Sequence, residues 1–168
     1  LDVAADLGYS EKFNHKFWKD FRKSVKEANP DTLILAEHYG NPESWLRGDE
    51  WDSVMNYDAF MEPLSWFLTG MEKHSDEYRD DLRGNSNAFF GAMREHMLKM
   101  STPSLEVAMN ELSNHDHSRF LTRTNRKVGR TDSAGPWEAG QGIMPSLMRA
   151  GVIVQMTWPG APTVYYGD

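Results

Sequence analysis

Leu33-Ile34-Leu35-Ala36-Glu37-His38 is an unbroken apolar run that closes on a carboxylate. Continuous apolarity suits a strand covered by helices on both faces, so the run predicts an interior strand of a parallel sheet. Upstream, residues 14–28 carry Phe17, Trp18, Phe21 and Val25 at helical spacing with Lys and Arg between them. Asn14 is the expected N-cap and Asn29-Pro30-Asp31 the stop. Before that helix, Leu1-Asp2-Val3-Ala4 reads as the end of another buried strand, again with an acidic residue. Far downstream the same build recurs: an apolar stretch over 105–112, then Asn114-His115-Asp116.

The intervening chain alternates. A strand is expected over 51–55, a helix over 59–68, a charged surface excursion over 70–84, and a helix over 86–100. A strand over 106–112 and a short helix over 118–124 follow. Then come a polar loop over 125–140, an apolar helix over 142–158, a hard turn at Pro159-Gly160-Ala161-Pro162, and a last strand over 163–166. Alternating helices and buried strands predict an α/β parallel sheet. No strand leads into a Gly-rich phosphate loop, so a dinucleotide or P-loop fold is not supported. Acidic residues at the carboxyl ends of successive strands fit a (β/α)8 barrel, whose active site lies at that face. A full barrel takes eight strands and roughly 250 residues. The expectation is therefore the C-terminal half of a TIM barrel, about strands 4 to 8, with residues 1–168 forming one partial domain truncated at both ends.

Composition narrows the partners. The 168 residues are 39% hydrophobic and 26% charged, a globular balance. A net charge of −7 argues against nucleic acid, which needs a basic patch. No apolar run reaches the roughly 20 residues that would span a membrane. The chain has no cysteine, which excludes disulfide and thiol chemistry. Six Trp, six Tyr and eight Phe supply core, with some available for stacking on apolar sugar faces.

Two carboxyl groups flanking a glycosidic bond are the minimal machinery for its hydrolysis. Asp2 and Glu37, on adjacent expected strands at one face, allow the roughly 5 Å separation of retaining enzymes. The shorter Asp suits a nucleophile and the longer Glu an acid. Asp116 would grip sugar hydroxyls, with His115 donating to another. Singly, each such carboxylate is more often a helix cap or an ion-pair partner.

LDVAAD resembles the nucleophile segment of the α-amylase family of glycoside hydrolases, ILAEHYG its acid/base segment, and ELSNHDHSRF its third-carboxylate segment. PGAPTVYYGD is similar to the family's last barrel strand. WLRGDEWDSVMNY is similar to the neopullulanase, cyclomaltodextrinase and maltogenic amylase branch. The resemblance implies a retaining glycosidase acting on α-glucosidic bonds of starch-derived oligosaccharides. It assigns Asp2 as nucleophile, Glu37 as general acid then base, Asp116 as transition-state stabiliser and His115 as the histidine beside it; Asn114, at a position that varies in the family, is a candidate for substrate binding or for support of the loop. The family pattern also has an Arg two residues before the nucleophile and an Asp and Asn-His on an earlier strand, none of which this chain carries. The 168-residue piece is therefore expected to be inactive alone. The alternative is a non-catalytic carbohydrate-binding or transporter-associated relative, which loss of the carboxylates would mark; all three are present.

His38 is a further candidate for sugar contact. Trp45, Tyr57 and Trp158 are candidate stacking platforms, with core packing the stronger expectation for each. Arg119 is read as a structural tie. The histidines form no metal-ligand spacing, so no metal or cofactor is expected here, although some family members bind Ca2+. Branch resemblance and the lack of cysteine favour a cytoplasmic location. The exposed barrel edges predict self-association.

Overall fold

The computed structural model describes residues 1–130 and 135–168. Its strands are short and all parallel: β1 Leu35–Ala36, β2 Ser53–Val54, β3 Met109–Glu111 and β4 Ala161–Thr163. β1 pairs with β2 in the register Leu35↔Ser53, and β3 with β4 in the register Met109↔Ala161. A parallel bridge from Met55 to Met109 links the two pairs, so the ladder runs in chain order. The expected strand over residues 1–4 is replaced by a backbone lacing along β1 and a 3-10 turn at Ala4–Asp6. The Ala4 carbonyl accounts for the break: Asn14 Nδ2 and Trp18 Nε1 both donate to it, at 2.9 and 2.8 Å.

Helices fill the crossovers. α1 spans Glu11–Ala28 and starts three residues before the expected cap, because Ser10 Oγ accepts from the Phe13 N–H. Asn14 is no cap. It lies buried inside α1, its amide donating to the carbonyls of Ala4, Ala5 and Leu7. α2 covers Glu62–Thr69 and is entered through a π turn at Tyr57–Met61. α3, Ser86–Met97, is capped by Asn85. α4, Thr102–Glu106, stands before the expected 106–112 strand and shares only Glu106 with it; Ser101 caps it and Pro103 suits a first turn. α5 is Phe120–Arg123, α6 Pro136–Ala139 and α7 Pro145–Thr157. α6 falls within the expected 125–140 loop; the part of that loop at 131–134 lies outside the described residues. The last strand ends at Thr163, short of the expected 163–166. Among the described residues no helix is long and apolar enough to cross a membrane.

Two apolar cores hold these layers. Trp18, Ile34, Ala36, Leu46, Trp51 and Val54 pack α1 against β1 and β2. Phe60, Leu64, Phe89, Met93, Leu112 and Phe120 pack the π turn, α2 and α3 against the end of β3. Buried amides brace the ladder between them. Asn56 Nδ2 donates to Asn110 Oδ1 at 2.7 Å, and Gln155 Nε2 donates to the carbonyls of Asn110 and Thr163. The carboxyl ends of all these strands therefore face one way on a stiff support.

Candidate active site

The segment carrying Asp2 is stitched to β1. The Leu1 nitrogen donates to Leu35 O at 2.9 Å, the Glu37 N–H to Leu1 O at 2.8 Å and the Ala4 N–H to Glu37 O at 3.2 Å. At the end of this lacing the Val3 N–H donates to Glu37 Oε2 at 2.6 Å. Glu37 is thus held against the residue that follows Asp2, while the Asp2 side chain stays exposed. Val3 has φ +37°, a left-handed conformation that is strained for a β-branched residue. Its N–H bond to Glu37 and the burial of Ala4 beside it hold it there. A cavity of about 110 Å³ lies here, lined by Val3, Ala5, Asp6, Glu37, His38 and Tyr39. A larger one, about 450 Å³, opens at the opposite strand ends among Leu33, Asp52 and Val107, away from the carboxylates.

The turn after β3 presents the third carboxylate. Asn114 is buried, and its Oδ1 accepts from the N–H groups of Asp116 and His117 at 3.0 and 3.1 Å. This side chain-to-backbone turn projects His115 and Asp116 outward, both exposed, with His115 Nε2 3.5 Å from Asp116 Oδ1. Asn114 therefore shapes the site from beneath and does not face solvent. His38 packs against Trp45 and Trp51, with ring centroids 5.1 and 5.7 Å away, and its Nε2 lies 3.3 Å from Asn41 O. Tyr57 is 1% exposed and covered by Tyr39, so its ring offers no open stacking face. Trp45 stacks on Trp51 at 4.9 Å, and Trp158 packs against Phe89, as core residues do.

Three residues beside the candidate carboxylates were not singled out by the sequence. Tyr39, 44% exposed, lies over Tyr57 and lines the same cavity as Glu37. Burial and then the Glu37 charge, with a smaller push from Asp116, raise its phenol above the ordinary tyrosine range. His117 is buried beneath, its Nε2 3.2 Å from the Tyr39 hydroxyl and its ring 4.5 Å from that of His74. Burial, then the positive charges of His74, Arg123 and Lys73, push its imidazole down to about 3, so it is neutral near neutral pH. Glu111, 1% exposed at the end of β3, is held up at about 7 by burial. A carboxylate inside an apolar strand was the readable clue to Glu111. Tyr39 and His117 sit in loops, where spacing says nothing about direction.

The 70–84 excursion is only partly a surface feature. Its hydroxyl Ser75 Oγ lies 2.7 Å from Ser118 Oγ, and Ser118 Oγ donates to Lys73 O at 3.1 Å, docking it on the turn after β3. It also brings Glu72, His74 and Asp76 together, with ligand atoms within 4.8 Å, a grouping that histidine spacing did not suggest. The donor set does not fit a metal. Glu72 already takes the Lys73 ammonium at 3.3 Å, His74 Nδ1 at 2.7 Å and the backbone N–H groups of His74 and Asp76. Arg119 behaves as the structural tie expected. It donates to Tyr166 O, pairs with Asp168 at 3.5 Å and lies over the Tyr165 ring.

The family pattern for "Alpha amylase, catalytic domain" matches residues 9–168. The chain belongs to the α-amylase family. Neopullulanase 2 of Thermoactinomyces vulgaris is 35% identical over the whole chain, which spans 23% of that protein. A Bacillus cyclomaltodextrinase is 29% identical, again over the whole chain and 24% of its own length. A solved Nostoc punctiforme debranching enzyme superposes over all of this chain and 31% of its own, with a TM-score of 0.74 at 26% identity. The chain thus spans about a quarter of these α-amylase relatives, and the branch suggested by residues 45–57 agrees with their names.

Proposed function

We propose that the chain is the C-terminal half of an α-amylase-type catalytic barrel, about strands 4 to 8, from a retaining glycosidase that acts on α-glucosidic bonds of starch-derived oligosaccharides. Asp2 attacks the anomeric carbon while Glu37 protonates the departing glycosidic oxygen, giving a glycosyl-enzyme ester. Glu37 then removes a proton from the incoming water, and the sugar leaves Asp2 with its configuration retained. Asp116 binds the sugar hydroxyls as the ring flattens, with His115 beside it. Residues 1–168 by themselves lack the remaining pocket wall and do not turn over substrate.

One observation carries this reading. Glu37 accepts the Val3 N–H at 2.6 Å, which holds its carboxyl beside the residue that follows Asp2, and the turn carrying Asp116 leaves β3 at the same carboxyl-end side of the parallel strands, which supports one shared face. The names of relatives, among them a cyclic α-maltosyl-(1→6)-maltose hydrolase of Arthrobacter globiformis, support α-glucans as the substrate class.

The test is trapping. The intact protein, given a slow fluorinated maltosyl substrate, should gain the mass of one glycosyl group on the peptide containing Asp2, and Asp2→Asn should abolish it. Sugar binding without covalent labelling, in a protein that hydrolyses nothing, would favour the carbohydrate-binding alternative.

A further inference from the structure

We propose that Glu111 is a positioning residue: its carboxyl fixes the Asn114 side chain, and through Asn114 the backbone turn that presents His115 and Asp116. The proposal rests on the reading of Asp116 given above. It concerns a buried acidic side chain that the glycosidase chemistry does not use.

The geometry is a closed set of bonds. Asn114 Nδ2 donates one hydrogen to Glu111 Oε1 at 2.8 Å and the other to the Tyr57 hydroxyl at 3.0 Å. Its Oδ1 accepts from the N–H groups of both Asp116 and His117. Both amide hydrogens and both lone pairs are engaged, so the amide has one orientation. Glu111 supplies the one acidic acceptor in that set, and it is anchored by β3, which pairs with β4 at Glu111↔Thr163. Remove the acceptor and a buried N–H loses its partner. The amide is then free to turn, and the two backbone bonds that set the direction of Asp116 loosen with it.

A buried carboxyl is an expensive way to hold an amide unless the hold matters. Glu111 stands at the floor of the site with Tyr57 facing it from the π turn, Asp116 from its own loop and Asp168 from beyond β4, the last paired with Arg119. Among the ionised groups that act on it, Asp168 and Asp116 are both negative, so the setting favours its neutral form. A neutral carboxyl still offers Asn114 a carbonyl oxygen, so the positioning bond survives protonation.

The test uses the intact protein and a maltooligosaccharide. Glu111→Met keeps the volume and removes the acceptor. Its melting temperature should stay within a few degrees of the parent's, because removal of the buried acid offsets the lost acceptor, while kcat falls at least about tenfold and KM stays within about twofold. Glu111→Gln keeps an acceptor and should recover most of kcat. The losses in Glu111→Met and Asn114→Ala should not add in the double variant, since one acts through the other. An active Glu111→Met with unchanged kcat, or additive losses, overturns the proposal. If Glu111→Met does not fold, a folded Glu111→Gln that loses tenfold in kcat overturns it instead. A parent protein inactive on every α-glucan would sink the glycosidase reading itself, a separate outcome.

Discussion

The Tyr39 ring lies 4.6 Å from that of Tyr57, at an interplanar angle of 29°, and closes the floor of the site over a phenol that solvent does not reach. The same residue reaches His117 through its hydroxyl. One half-exposed side chain thus covers two buried polar ones. Tyr39→Phe removes only the hydroxyl contact and should cost about 0.5–1.5 kcal/mol. Tyr39→Ala also uncovers Tyr57 and His117 and should cost about 1–2 kcal/mol more. Urea denaturation of the two variants measures both steps; a Tyr39→Ala variant as stable as the parent would refute the role of cover.

Two buried groups should pull stability in opposite directions with pH. His117 falls from 6.5 to about 3 on folding, so the unfolded chain binds more protons between those values. Its contribution is fully present above about 6.5 and lost as pH falls toward 3. Glu111 rises from 4.5 to about 7, so the folded chain binds more protons in that window, and stability declines as pH climbs through it. At full extent the first effect is on the order of 5 kcal/mol and the second on the order of 3 kcal/mol. Plotting unfolding free energy against pH for His117→Gln should flatten the acid side, and for Glu111→Gln the decline toward 7. Identical curves for parent and variants would contradict both.

What the sequence made legible was the order of elements and the ends of strands. The apolar run at residues 33–36 and the helical spacing of Phe17, Trp18, Phe21 and Val25 each report burial, and burial has a period. Asn114-His115-Asp116 stood out as a candidate site because polar residues cluster after an apolar run. The cap at Ser10 was missed in favour of Asn14, because a buried Asn that holds three carbonyls looks, in sequence, like an Asn that starts a helix. Residues 1–4 likewise have strand composition but turn at Val3, where the Glu37 carboxylate and the Ala4 carbonyl take the backbone bonds elsewhere. Tyr39 and His117 meet across 78 positions of sequence, and no local pattern encodes such a contact.

Gly160 is the tightest point beneath β4. Its φ is +130°, and a Cβ there would stand 2.4 Å from Asn110 Nδ2. Asn110 has no room to yield, since its amide holds Asn56 and Pro159 together. Gly160→Ala therefore combines backbone strain with a clash against a fixed side chain and should cost about 2–4 kcal/mol. Gly140→Ala, whose Cβ would meet only Trp137 O at 3.7 Å, is the comparison. Thermal melts should separate the two by several degrees, and equal melting temperatures would count against the clash.

Along α1, Phe13, Phe17 and Phe21, with Tyr9 just before, form a ladder of rings with centroid spacings of 6.5, 6.4 and 6.3 Å. Tyr9, Phe13 and Phe17 are exposed, as are Leu1 and Val3 nearby. At the other end of the strand order Ile153, Val164 and Tyr166 are exposed as well. Exposed apolar surface of this kind on an isolated polypeptide drives association, and β4, which pairs only with β3, offers a strand edge beside it. The 168-residue polypeptide should therefore sediment as a dimer or larger species at roughly 10 μM, with these apolar faces buried against another copy. Phe13→Ser combined with Phe17→Ser leaves α1 with its Ser10 cap and its buried Trp18, and should shift the population toward monomer. A parent polypeptide that sediments as a single monomeric species would show that these faces do not pair in solution.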